Sequence, residues 1–181
     1  MTGSTYLDYD KALAKGMRLI RSGADPNFGL LIVVGINVGL RVGDLLNLSF
    51  ADLKKDVINI VEQKNGNKRK IKVTAPIKRA MEHFQDSLAY ELGGHPFTSQ
   101  KGTVYSIQQI NRKLKDHFKG KRISTHSLRK TWGRFIWESS NHSPKALTLL
   151  NQHFGHANFS DTKRYLGITQ DEMDSVFDFF E

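Results

Sequence analysis

The sequence predicts a mainly helical α+β domain with one small antiparallel β-sheet. Apolar residues recur at helical spacing along most of the chain, a single stretch alternates at the period of a strand, and turn residues fold that stretch into a hairpin. At 181 residues the chain, 1–181, is long enough for one well-buried domain and short for two.

Leu7, Leu13, Ala14, Met17, Leu19 and Ile20 fall largely on helical spacing between Tyr6 and Ser22, and Gly23 closes this lead helix. Asp25-Pro26 starts a second helix through Leu30, Leu31, Val33, Val34, Ile36 and Val38, which ends at Gly39. It is apolar nearly all round, which marks a central element. A short helix then continues through Leu45, Leu46 and Leu48, with Arg41 between the two. That arginine reads either as half of a buried ion pair with Asp44 or as a cation presented from rigid elements.

Asp56 to Gln63 alternates and is rich in branched residues, and Asn65-Gly66-Asn67 turns the chain into Lys68-Arg69-Lys70-Ile71-Lys72-Val73. Lys64, Lys68, Arg69, Lys70 and Lys72 make the tip and second strand basic. They form either a solvated edge that blocks sheet pairing or a finger that reaches into a groove. Pro76 opens a helix through Ile77, Ala80, Met81, Phe84 and Leu88, ended near Gly93-Gly94, and Phe97 to Tyr105 is a loop. Ser106 and Gln109 form a capping box for a helix bearing Arg112, Lys113, Lys115 and Lys119, ahead of the basic loop Lys119-Gly120-Lys121-Arg122.

Ser124-Thr125 precedes a helix of His126, Leu128, Trp132, Phe135, Ile136 and Trp137, in which His126 and Arg129 share one face close to the N-terminus. A helix N-terminus favours an anion. Asn141-His142-Ser143-Pro144 breaks the chain, another helix runs to about His153, and Gly155-His156 turns it into a short helix bearing Tyr165. Thr169 with Glu172 is a second capping box and starts a last helix to Glu181.

Lysine and arginine outnumber acids 27 to 18, for a net charge of +9 and a pI near 9.8, which favours a polyanion such as nucleic acid as partner. Absence of cysteine removes disulfides, thiolate catalysis and cysteine-based zinc sites. A metal site would have to use His126, His153 and His156, but the glutamate of a metalloprotease helix is missing, so no metal or other cofactor is expected. The longest apolar run, Gly29 to Leu40, falls short of the roughly 20 residues of a bilayer span, and Met1 to Asp10 lacks the pattern of a signal peptide. A soluble, cytoplasmic protein without membrane contact is expected.

Four blocks in order, Gly39-Leu40-Arg41-Val42-Gly43-Asp44-Leu45-Leu46-Asn47-Leu48, the hairpin with Lys64, His126-Ser127-Leu128-Arg129, and Gly155-His156 followed nine residues later by Tyr165, resemble the catalytic domain of tyrosine recombinases, the phage-integrase family. The resemblance spans about Asn27 to Leu166 and implies that family's fold. It makes Arg41 and Arg129 the phosphate-binding arginines, Lys64 the hairpin lysine, His126 and His156 the active-site histidines, Tyr165 the nucleophile, and Asp44 the acid that buttresses the first arginine. Two departures stand out: the stretch around Ser139 to Lys145 is a few residues longer than usual, and only about 40 residues precede Arg41, too few for the separate N-terminal core-binding domain of most members.

The chemistry of these residue types agrees with that inheritance. Two guanidinium forks can hold the non-bridging oxygens of a phosphodiester as negative charge builds on them, without metal. A phenol with a reference pKa near 10 needs a proton acceptor, for which His126 is the candidate. Lys64 would protonate the leaving 5′ oxygen and His156 would hold the phosphate, while a 3′-phosphotyrosyl intermediate stores the bond energy for rejoining without ATP. The expected function is therefore site-specific DNA recombination on double-stranded DNA by a homo-oligomer assembled on it. Type IB topoisomerase-like relaxation and an idle DNA-binding regulator are the alternatives. Lys68, Arg69, Lys70, Arg112, Lys115, Lys121 and Arg122 are the candidate DNA contacts. The acidic segment 168–181 reads as a helix that docks on its own domain or on a neighbouring protomer.

Overall fold

The computed structural model describes residues 3–120 and 122–168 and divides the chain into two compact units, Met1–Trp132 and Gly133–Glu181. The expected helix from Thr169 to Glu181 lies outside the described residues.

In the first unit α1 (Tyr9–Arg21) begins where the Asp8 side chain accepts from the Lys11 N–H at 2.8 Å, later than the apolar spacing suggests because Tyr6 and Leu7 precede this cap. Helix α2 (Pro26–Val38) is the central element: every side chain from Leu30 to Val34 is 0% exposed. Helix α1 covers one side of it and α5 (Ala75–Met81) another. Between them come α3 (Val42–Leu46) and α4 (Phe50–Leu53). The latter was not expected; Ser49 and Asp52 close a reciprocal capping box around a single turn, too short for an apolar period to show.

Strands β1 (Val57–Val61) and β2 (Lys68–Lys72) pair antiparallel, with Val57 opposite Lys72 and Val61 opposite Lys68. Alternation sends Ile58 and Ile71 into the core and leaves Val57, Asn59, Val61, Lys68, Lys70 and Lys72 exposed. The sheet expected from the sequence is present and has two strands.

The single helix expected from Pro76 through Leu88 to near Gly93-Gly94 is instead α5, a 3₁₀ turn at Glu82–Phe84, and α6 (Leu88–Glu91). Ser87 makes the break: its hydroxyl donates to the Phe84 carbonyl at 2.8 Å and accepts from the Tyr90 N–H at 3.2 Å, ending one helix and starting the next. The Phe97 to Tyr105 loop is closed by a bridge between Thr98 and Val104, and Tyr105 donates to Asp25 at 3.1 Å. Asp25 also pairs with Lys113 of α7 (Ile107–His117), whose Ser106–Gln109 capping box forms as expected.

Helix α8 (Thr125–Ser139) carries the unit boundary. The second unit continues with α9 (Pro144–Phe154), capped by Ser143, and α10 (Phe159–Leu166), capped by Asn158. Among the described residues no helix is long and apolar enough to cross a membrane.

Candidate active site

In the first unit three elements present charged groups. Gly39 stops α2 in the left-handed conformation, φ 62°, so that Leu40 and Arg41 leave the helix axis and Arg41 stands at the N-cap of α3. Arg41 Nη1 donates to Glu62 Oε1 at 2.9 Å, and Arg69 Nη2 reaches Glu62 Oε2 at 3.3 Å. Glu62 is 1% exposed. Burial alone would raise its pKa; the pull of Arg69 and then of Arg41 more than reverses this and holds the carboxyl below its ordinary range.

Asp44 was expected to buttress Arg41. Its Oδ1 accepts the Gln63 backbone N–H at 2.9 Å, so α3 ties down the end of β1 through that carboxylate. The turn between the strands is pinned at the same place, since the Glu62 N–H donates to the Asn67 carbonyl and the Gly66 N–H to the Glu62 carbonyl, both at 2.9 Å. Lys64 sits on this turn, exposed, one residue beyond the anchored Gln63.

Glu62 was missed as a functional position. The signal was available: counted from Ile58 along an alternating strand, Ile60 and Glu62 share the inward face, where a carboxylate requires a cation. Arg69 lies on the inward face of β2 and is engaged with Glu62, whereas Lys68 and Lys70 point outward. Of the other candidate DNA contacts Arg112, Lys115 and Arg122 are exposed, and Lys121 lies outside the described residues.

Arg129, 4% exposed, extends from the first turns of α8 and donates from Nη1 to the Gly39 carbonyl at 2.8 Å. The start of that helix is held by Asn111, whose side-chain oxygen accepts the Thr125 N–H at 2.8 Å, and by the Ser127 hydroxyl, which accepts the Ser124 N–H at 3.1 Å. His126 lies one turn before Arg129. More than a third of the residue faces solvent, yet its pKa is lowered, first by the protein packed around the ring and then by the positive charges of Arg129, Lys130 and Arg41. The solvent-facing surface tempers the first effect; the three cations act in the same direction and keep the imidazole neutral near neutral pH. Arg41, Glu62, His126 and Arg129 are thus gathered in this unit.

In the second unit Gly155 ends α9 in the left-handed region, φ 69°, with no atom within 4 Å of an added Cβ, so it is the backbone conformation that calls for glycine. The chain leaves the axis there and His156 follows. The rings of His156 and Tyr165 are T-shaped at 5.2 Å, and Phe154 lies 4.7 Å from the Tyr165 ring and 5.4 Å from that of His156. Asn151, Thr162 and His156 join in a hydrogen-bonded chain in which Thr162 is 0% exposed. Sequence reading singled out neither Asn151 nor Thr162, because nothing local distinguishes them from ordinary polar helix residues.

Comparison with known proteins identifies the pattern. The chain is 30% identical over 154 residues to the probable integrase/recombinase YoeC of Bacillus subtilis strain 168, covering 83% of this chain and 82% of that protein. It is 26% identical to tyrosine recombinase XerC of Caldanaerobacter subterraneus subsp. tengcongensis over 79% of this chain and 42% of the relative, so it spans less than half of that protein's length. Among solved structures, the crystal structure of XerA recombinase superposes with a TM-score of 0.68 at 20% identity, covering 98% of this chain and 65% of that one, and shares the fold. The model of the phage integrase family matches residues 17–172, a span that holds Arg41, Lys64, His126, Arg129, His156 and Tyr165 alike. This chain therefore belongs to the phage integrase family.

Proposed function

We propose that the chain is the catalytic part of a site-specific recombinase that cleaves and rejoins double-stranded DNA through a 3′-phosphotyrosyl bond on Tyr165. Family membership supports this reading over relaxation of the topoisomerase type and over an idle DNA-binding regulator. The observation that carries it is the pair of arginines on rigid supports, Arg41 paired with buried Glu62 and Arg129 donating to the Gly39 carbonyl. Guanidinium groups so held give a phosphoryl group undergoing in-line attack fixed, permanently charged donors.

In this reading the phenolic oxygen of Tyr165 forms the new bond to phosphorus and the 5′ oxygen leaves. The phenol proton goes to neutral His126, and Lys64 on the anchored hairpin turn supplies the proton of the leaving oxygen. His156 binds the phosphate. Rejoining reverses the steps, so neither metal nor ATP is called for. Lys68, Lys70, Arg112, Lys115, Lys121 and Arg122 track the DNA backbone, and the chain works as a homo-oligomer on DNA in the cytoplasm, with segment 168–181 coupling neighbouring protomers. A single catalytic domain spanning 1–181 is part of the same proposal.

The test uses suicide duplexes with a nicked, randomised core, from which protein–DNA adducts are isolated on denaturing gels. Wild-type protein should form adduct and Tyr165→Phe should bind the same pool without forming any. Adduct of the phenylalanine variant mapping to Tyr6, Tyr9, Tyr90 or Tyr105, or wild-type binding without adduct, would overturn the proposal.

A further inference from the structure

The hydrogen-bonded chain beneath His156 has only one consistent set of proton positions. The carbonyl of His156 can only accept, so the group of Asn151 that lies 3.2 Å from it is the amide nitrogen, Nδ2. The Asn151 Oδ1 is then turned toward Thr162, whose hydroxyl oxygen lies 2.7 Å away. An amide oxygen also only accepts, so the single proton of the Thr162 hydroxyl is spent on it. What the Thr162 oxygen offers to His156 Nδ1, 2.9 Å away, is a lone pair. The imidazole must therefore carry a proton on Nδ1. The backbone keeps this register: the His156 N–H donates to the Asn151 carbonyl at 3.2 Å, so both the N–H and the carbonyl of the ring-bearing residue are tied to the same asparagine.

We infer that Asn151 and Thr162 are positioning residues that hold His156 in the Nδ1–H tautomer, so that Nε2 carries a lone pair while the ring is neutral and an N–H only when it is an imidazolium. A phosphoryl oxygen has no proton to give. Contact between Nε2 and a scissile phosphate therefore requires the imidazolium, and a neutral His156 is a proton acceptor at that atom instead. Thr162 is fully buried, so no water competes with its hydroxyl for the ring. This consequence for strand cleavage rests on the proposed function; the tautomer itself does not.

The decisive experiment is two-bond ¹⁵N–¹H correlation NMR of the histidine rings at about pH 8, where an ordinary imidazole is neutral. The His156 ring is assigned by its disappearance from the spectrum of His156→Asn. Wild-type protein should show a pyrrole-like Nδ1 and a pyridine-like Nε2. Thr162→Val, which keeps the side-chain shape and removes the hydroxyl, should shift the ring toward the Nε2–H form favoured by an unconstrained histidine. Thr162→Ser should restore the wild-type pattern. Because a neutral Nε2–H ring still donates to a phosphoryl oxygen, single-turnover cleavage by Thr162→Val should fall off less than that of wild type as pH rises, with Thr162→Ser following wild type. A wild-type Nε2–H pattern overturns the inference even where Thr162→Val fails to fold, and so does an unchanged ring in a folded Thr162→Val. Absence of cleavage by every variant and by wild type, with the expected ring pattern present, would instead count against the recombinase reading and leave the tautomer standing.

Discussion

Glu62 Oε1 accepts a hydrogen bond from Arg41 Nη1 at 2.9 Å while its carboxylate is all but sealed from solvent. The second oxygen faces Arg69 Nη2 at 3.3 Å, so one buried anion separates two guanidinium groups. Removing it leaves like charges facing each other. Glu62→Ala should cost about 3 kcal/mol or more in urea denaturation, the order seen when one partner of a buried pair is deleted. The sign with pH follows from the depressed carboxyl: its contribution is complete above the ordinary value of 4.5 and is lost as pH falls through the lower folded value. Acid titration of stability should therefore be shallower in Glu62→Gln than in wild type, and equal slopes would deny the pairing.

Arg129→Lys keeps a positive charge and loses the planar fork. A lysine that bonds the Gly39 carbonyl cannot also present two parallel donors to a phosphate, so cleavage should drop by about a hundredfold with DNA binding little changed. Single-turnover adduct formation measures the rate and fluorescence anisotropy the binding.

His126 has a linkage of the same sign as Glu62, in a higher pH window. Its folded pKa is lowered, so the unfolded chain takes up a proton first, and stability is complete above the ordinary value of 6.5 and declines as pH falls below it toward the folded value. His126→Gln should flatten this part of the stability profile. Thermal denaturation from pH 7.5 down to 5 reads the difference.

The hairpin separates two kinds of basic residue that lie side by side in sequence. Lys68→Ala and Lys70→Ala, on the outward face, should each lower the slope of log affinity for DNA against log salt by about 1 and leave melting unchanged. Arg69→Ala, on the inward face, should lower the melting temperature. The reverse assignment of the two effects would mean that the strand register is different in solution.

Much of the helical framework was legible because its signals are local. The Ser106–Gln109 box, the left-handed stops at Gly39 and Gly155, and the Asn65-Gly66 turn depend on a few adjacent residues and occur where the sequence puts them. The family pattern likewise named Arg41, Arg129, His156 and Tyr165 without any contact being known. What stayed hidden depends on partners distant in sequence. Ser87 ends one helix and starts another through two bonds of a single hydroxyl, against an apolar spacing that runs straight through it. Asn151 and Thr162 acquire their meaning only when the stop at Gly155 brings the imidazole of His156 to a buried threonine.

Arg129 takes its bearing from a backbone carbonyl, and that of Gly39 in particular. No codon change can delete a carbonyl, so this half of the contact is insulated from mutation in a way the Glu62 carboxylate is not. The vulnerable part is the residue that aims it: a Cβ at position 39 would lie 2.4 Å from Trp132 ring atoms, in a backbone conformation that side chains rarely adopt. A screen scored on activity alone would thus rank Gly39 beside the chemical residues although it contributes no functional group. Only an amide-to-ester exchange that weakens the carbonyl would separate loss of the acceptor from loss of the turn.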